Sequence, residues 1–159
     1  MSEGGDGINT YQELNSFLVD VFHSILRIEA QDLKAAGYKD LSISEMHVIE
    51  AVCLLEAQGK NNAREIAESL VITPGSLTAA INVLEKKGYL LRRPDPADRR
   101  RIRISATAEA RKAEAAHRRI HEQMIEEVAK NLDPQELQIL LRALQSISKF
   151  FGQERKQSE

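Results

Sequence analysis

The side chains best placed to do chemistry in this sequence crowd into one stretch, Thr73 to Thr107. Between Lys86 and Arg103 lie Lys86, Lys87, Arg92, Arg93, Arg99, Arg100, Arg101 and Arg103 against only Asp95 and Asp98, a local charge of +6 in a chain whose net charge is -2. An island of that kind fits a phosphate backbone. Just upstream, Thr73, Gly75, Ser76, Thr78, Ala79, Asn82 and Lys86 share the outward side of a helical projection whose inner side is Leu77, Ala80, Ile81 and Leu84. Small residues let a helix axis sink into a major groove, and serine, threonine and asparagine can exchange hydrogen bonds with base edges. Alone, such a face is equally that of a plain surface helix. The arginines that follow shift the weight to double-stranded DNA. Arg99, Arg100, Arg101 and Arg103 are expected to hold backbone and minor groove, where narrow width deepens the negative potential.

Other reactive residue types are sparse. His117 and His121 stand four apart with Glu114 a turn earlier, a spacing that can bind zinc. With no larger histidine cluster beside them, they are expected to be solvated or hydrogen-bonding, and no metal is assigned. His23 and His47 are isolated, with packing or a hydrogen bond as their expected role. Cys53, the one cysteine, excludes an intramolecular disulfide and sits in the apolar run AVCLL as an inert thiol. The chain has no nucleophile elbow, glycine-rich phosphate loop or metal-spaced cysteine pair, so it is not expected to be an enzyme or to carry a resident cofactor. With no apolar leader or spanning run, a cytoplasmic protein without a membrane contact is expected.

The elements that must position these residues are mostly helices. Residues 1–7 read as a disordered tail, followed over residues 8–36 by one long amphipathic helix with Leu14, Phe17, Leu18, Val21, Phe22, Ile25, Ile28 and Leu33 at spacings of three and four. Ser42-Ile43-Ser44-Glu45 is a capping box opening a second helix, Asn62 to Glu65 repeats the device for a short third, and Thr73-Pro74 starts a fourth. Only Val71 and Ile72 separate the third helix from that cap, the tight connection of a helix-turn-helix. Gly88 to Leu91 and Arg101 to Ile104 read as two strands around a Pro/Asp turn, with Ile102 and Ile104 on one face and Arg101 and Arg103 on the other. A charged helix follows, and Asp133-Pro134-Gln135-Glu136 caps a last one with Leu137, Leu140, Leu141, Leu144, Ile147 and Phe151 along a stripe. The fold class is therefore mainly α: a winged helix-turn-helix over residues 42–107, flanked by long N- and C-terminal helices. Residues 8–36 and 108–159 would form an intertwined dimer core, since the first helix carries more apolar surface than one small core can cover.

This order of elements resembles the MarR family of bacterial transcription regulators, most specifically in DPADRRRIRISAT, preceded by LEKKGYL. The wing ending departs from that family's usual pattern, with Ala106 and Ala110 where leucine and glycine are common. The resemblance implies a homodimer that reads a pseudo-palindromic operator. VFHSILRIEAQDLK, YKDLSISEMHVIE and His117, Arg119, His121 and Met124 further resemble the branch of the family that represses fatty-acid synthesis genes in Firmicutes. That likeness implies DNA affinity enhanced by a long acyl group on acyl carrier protein. Phe17, Val21, Phe22, Ile25, Ile28, Met46, Ile49, His117 and Met124 would then line the acyl site, although an apolar stripe is equally core or dimer interface. Lys34, Arg111, Arg118 and Arg119 would dock the acidic carrier. Two alternatives stay open: a MarR-type repressor released by another small ligand, and a zinc-sensing relative using His117 and His121.

Overall fold

The computed structural model describes the backbone of residues 5–156 and the side chains of residues 9–149. The order is α1 (Gly5–Ala35), α2 (Ile43–Ala57), α3 (Ala63–Leu70), α4 (Pro74–Lys86), β1 (Leu90–Pro94), β2 (Ile102–Ala106), α5 (Ala108–Lys130) and α6 (Pro134–Lys156). This is the mainly helical winged helix-turn-helix expected. Of the expected N-terminal tail, residues 5–7 lie in α1 and residues 1–4 lie outside the described residues, as does the side chain of Phe151.

Local chemistry sets the helix starts. Ser42 and Glu45 close a reciprocal capping box on α2, with Ser42 N donating to Glu45 Oε2 at 2.8 Å and Glu45 N to Ser42 Oγ at 3.3 Å. Asn62 Oδ1 accepts from Glu65 N at 3.1 Å to cap α3, and Thr73 Oγ1 accepts from Ser76 N at 3.1 Å to cap α4. Each such cap contributes about 1 kcal/mol. Asp133 caps α6 in the same way, accepting from Glu136 N at 2.9 Å while Glu136 Oε2 accepts from Asp133 N at 2.8 Å.

Two compact units divide the chain, residues 1–120 and 121–159. The core of the first joins Leu33 of α1, Met46, Ile49 and Val52 of α2, Ile66 of α3, Leu77, Ile81 and Leu84 of α4, Leu90 and Ile104 of the hairpin, and Ala110 and Ala113 of α5. Fully burying a large aliphatic side chain contributes about 1.5–3 kcal/mol, so this cluster holds the helix-turn-helix and its hairpin as one body. Cys53 borders it, and burial pushes its thiol up to about 11, which keeps it unreactive near neutrality.

The hairpin is antiparallel, in register from Leu90 opposite Ala106 to Pro94 opposite Ile102. Its first strand begins at Leu90 rather than Gly88 and runs on through both arginines to Pro94. The reason is Gly88, whose φ of 82° ends the α4 turn before the strand can start. Ile104 is buried as expected, but Ile102 is 45% exposed: the strand has left the core by the time it reaches the tip.

Candidate nucleic-acid interface

α3 and α4 meet at a bend of 108°, within the range a helix-turn-helix requires. The turn is made by Val71 in the left-handed region, φ 53° and ψ 49°, with Ile72 N returning to Ala67 O at 3.1 Å. A β-branched residue seldom adopts this conformation, so the turn carries local strain.

From that turn α4 presents one side inward, Leu77, Ile81 and Leu84, and leaves Thr73, Gly75, Ser76, Thr78, Ala79, Asn82 and Lys86 exposed. All seven residues expected to face DNA on this helix thus lie on its open side. Their polar groups are partly engaged within the helix: Thr78 Oγ1 donates to Pro74 O at 2.8 Å, and Ser76 Oγ lies 2.8 Å from Thr73 Oγ1. Asn82 Oδ1 accepts from Arg92 Nη2 at 2.8 Å, and Arg92 also pairs with Glu85. Arg92 therefore clamps the first wing strand to the far end of α4. At Gly75 an added Cβ would meet only Thr73 Oγ1, at 3.9 Å, so the first turn of α4 is open to close approach.

The wing tip is built on Asp95. Its carboxylate accepts from Ala97 N at 2.7 Å and from Arg103 Nε at 2.6 Å, and Asp95 N donates to Arg101 O at 2.9 Å. Arg103 and the Ala97 N–H hold the Asp95 carboxyl below the usual carboxylate range. Arg103 therefore departs from the DNA-contact role expected of it, because its guanidinium is committed to closing the turn. Arg101 is exposed and lies 3.5 Å from Asp98. Arg99 and Arg100 stand exposed at the tip, and no acidic side chain pairs with either among the described residues. Arg93, also exposed, adds a basic group that was not among the expected contacts.

Three partners that hold the site were missed in the sequence. Asn61 is 2% exposed and pins β2 by donating from Nδ2 to Ile104 O at 2.7 Å, while Ile104 N donates to Asn61 O at 2.8 Å. Glu56 accepts from Ala106 N at 3.1 Å and from Arg111 at 2.8 Å. Lys87 donates to Glu45 Oε1 at 2.7 Å and to the Asp40 carbonyl, joining the end of α4 to the start of α2. Only a lysine directly after a predicted helix end hinted at this last role.

The expected acyl-lining residues differ in their settings within the first unit. Met46 and Ile49 are closed in the core, whereas Phe17, Phe22 and Ile28 are exposed on α1 and Val21 and Ile25 are half-buried there. Met124 belongs to the second unit. His117 is fully buried, and its Nδ1 lies 2.7 Å from Glu50 Oε1. Burial opposes charge on this ring, but the Glu50 carboxylate outweighs it and raises the pKa above the ordinary value. Of the expected docking residues, Lys34 and Arg119 are exposed, Arg111 is held by Glu56 and Arg118 lies 3.9 Å from Glu114.

Residues 41–102, the whole helix-turn-helix and most of the wing, match the model of the MarR family. Over those residues the chain is similar to the MarR family, and its fold is that of a winged helix-turn-helix protein. The solved structure of Streptococcus pneumoniae FabT in complex with DNA is 29% identical and covers 90% of this chain and 98% of that one, with a TM-score of 0.80. Two Bacillus subtilis relatives are HTH-type transcriptional regulators: YcgE, 38% identical over 56 residues (35% of this chain), and YkoM, 31% identical over 81 residues (51% of this chain). The matched segments span only 36% and 49% of those relatives' own lengths.

Proposed function

We propose that this protein is a sequence-specific DNA-binding transcriptional repressor that works as a homodimer. The observation that carries this reading is the open side of α4 lying next to an arginine tip, on a chain similar along nine-tenths of its length to a regulator solved on DNA. Two copies of α4 would enter successive major grooves about one helical turn apart, with Ser76, Thr78 and Asn82 toward base edges and Arg99, Arg100 and Arg101 toward backbone and minor groove. Asn82 accepts from Arg92 through Oδ1, which leaves its Nδ2 to donate to a base edge. Enrichment from a pool of random duplexes tests the reading: a pseudo-palindrome with half-sites about 10 base pairs apart is expected, and no enriched sequence at low salt would refute it.

The finer reading follows the likeness to FabT: repression of fatty-acid synthesis genes, strengthened by a long acyl group on acyl carrier protein. Its support is the apolar stripe of α1 beside the core, half-buried at Val21 and Ile25 and open at Ile28, where each buried methylene of a chain would contribute about 0.8 kcal/mol. Lys34 and Lys39 border a groove also lined by Asp40, Glu45 and the Lys87 that Glu45 holds, so these two lysines are the cations there that would meet an acidic carrier. Long-chain acyl carrier protein should tighten operator binding while the unacylated carrier does not. Equal affinity with both would refute this effector.

A further inference from the structure

One polar side chain on the open side of α4 has its orientation fixed from outside the helix. Asn82 and Glu85 stand three apart on α4, and Arg92 of β1 reaches both. Its Nη2 donates to Asn82 Oδ1 at 2.8 Å, its Nη1 donates to Glu85 Oε2, and its backbone N donates to Glu85 Oε1 at 2.9 Å. The sheet has two strands, so that backbone N–H lies on an edge no third strand covers, and the Glu85 carboxylate takes a partner strand's place. Arg92 is thus held through its side chain and its main chain, with its charge matched by one carboxylate.

A guanidinium carries donors and no acceptor, so the oxygen of the Asn82 amide, and not its nitrogen, must be the atom that faces Arg92. That choice decides what the exposed Asn82 can say to a base. An asparagine free to turn presents both groups of its amide and pairs bidentately with adenine, whose major-groove edge offers N7 as acceptor and N6 as donor. With Oδ1 engaged, Asn82 offers donors alone. Guanine presents two acceptors there, N7 and O6, whereas adenine N6 and cytosine N4 would meet the amide donor to donor. We propose that Arg92, held by Glu85, determines the base specificity of Asn82: it makes that residue a reader of guanine in place of the adenine an unrestrained asparagine favours. Arg92 is here a positioning residue, acting on the base through Asn82. Because the amide is already oriented before DNA arrives, binding does not have to order it. The inference rests on the DNA-binding reading proposed above.

Enrichment from a pool of random duplexes by the unaltered full chain, Arg92→Met, Asn82→Ala and the double variant tests this. Both side chains are exposed, so each variant should keep the far-ultraviolet circular dichroism of the parent. The position whose preference Asn82→Ala abolishes marks the contact. There the unaltered chain should favour guanine over adenine by at least about fivefold in each half-site, and Arg92→Met should bring guanine down to the level of adenine or below it. In the Asn82→Ala background Arg92→Met should change no base preference, since its effect passes through the amide. If Arg92 is instead a phosphate contact, its loss flattens the salt slope by about 0.9 per chain and weakens all sequences alike with the guanine preference kept, which would overturn the inference. Preference for another base in the unaltered chain, or an Asn82→Ala variant that alters no position, overturns it as well. An unaltered chain that enriches no duplex removes the DNA-binding reading and this inference with it. An operator read identically by the unaltered chain and Arg92→Met removes this inference alone.

Discussion

Replacing Arg99 and Arg100 together by alanine tests the division of labour within the wing. Both are exposed at the tip, so their removal should leave the fold intact while taking two phosphate partners from each wing. In a dimer that is four contacts. Each contact on duplex DNA contributes about 0.9 to the slope of log affinity against log salt, so the slope should flatten by about 3.6. Between 50 and 200 mM salt the unaltered protein should then lose about 150-fold more affinity than the variant, and the two binding curves should approach each other as salt rises. Fluorescence anisotropy on a mixed-sequence duplex reads this directly. Arg103→Ala is the control, because Arg103 is held by Asp95 at 2.6 Å and closes the turn. It should lower thermal stability and leave the slope within about one unit of the parent. An unchanged slope in the Arg99/Arg100 variant, or an equal flattening from Arg103→Ala, would refute the assignment of tip and brace.

Two further outcomes follow from local chemistry. Val71→Gly should relieve the left-handed strain at the helix-turn-helix turn and raise stability in urea by up to about 1 kcal/mol, the added unfolded-state freedom of glycine taking back part of the gain. A loss of stability would show that the Val71 side chain matters more than its backbone. Burial works against charge on Glu45, but hydrogen bonds from Lys87 and Ser42 prevail and hold its carboxyl below the usual range. A folded-state pKa that is lowered gives stability present above the ordinary carboxylate value and lost as pH falls through the lowered one. Lys87→Met should therefore cost stability at pH 7 and much less at pH 3, as measured by urea unfolding; an equal cost at both would refute the ion pair as its source.

What the sequence made legible was what is local. The caps at Ser42, Asn62, Thr73 and Asp133 depend on residues three apart, and the structure forms all four. The inner face of α4 follows from helical period alone. The first wing strand was displaced because Arg92 and Arg93 break the apolar alternation that marks a strand, although pairing with β2 carries the chain through them. Arg103 read as a DNA contact because its partner lies across the hairpin, and the register that brings Asp95 to it is a tertiary fact. The same holds for Glu29, His47 and His117, which look isolated along the chain and meet only when α1, α2 and α5 pack. His117 and His121 read as solvated or hydrogen-bonding, and nothing in their spacing could name Glu50 as the partner of His117.

The exposed side of α1 carries the argument for a partner copy. Leu14 is 50% exposed, Phe17 64% and Phe22 61%, all on a helix whose deeper end is held by Leu33 in the core. Burying such side chains contributes about 25 cal/mol for each Å² of apolar surface, so a contiguous stripe of this kind favours association over solvation. On α6, within the second unit, Ile139, Leu141 and Leu144 are also exposed, at 58%, 44% and 48%. A second copy of the same chain would cover such surfaces, and a dimer is what the proposed pair of half-sites requires. Phe17→Glu puts a charge in the stripe without touching any residue of the buried core. Sedimentation should show the unaltered chain at twice 17.9 kDa and the variant at 17.9 kDa, with the circular dichroism of the helix-turn-helix retained. A variant that remains dimeric would move the interface off this face of α1, and an unaltered chain that sediments as a monomer would remove the dimer from the DNA-binding mechanism altogether. If the monomeric variant keeps weak binding to any duplex but loses preference for a two-half-site operator, the two α4 helices are read as a pair, and their spacing is the quantity an effector has to control.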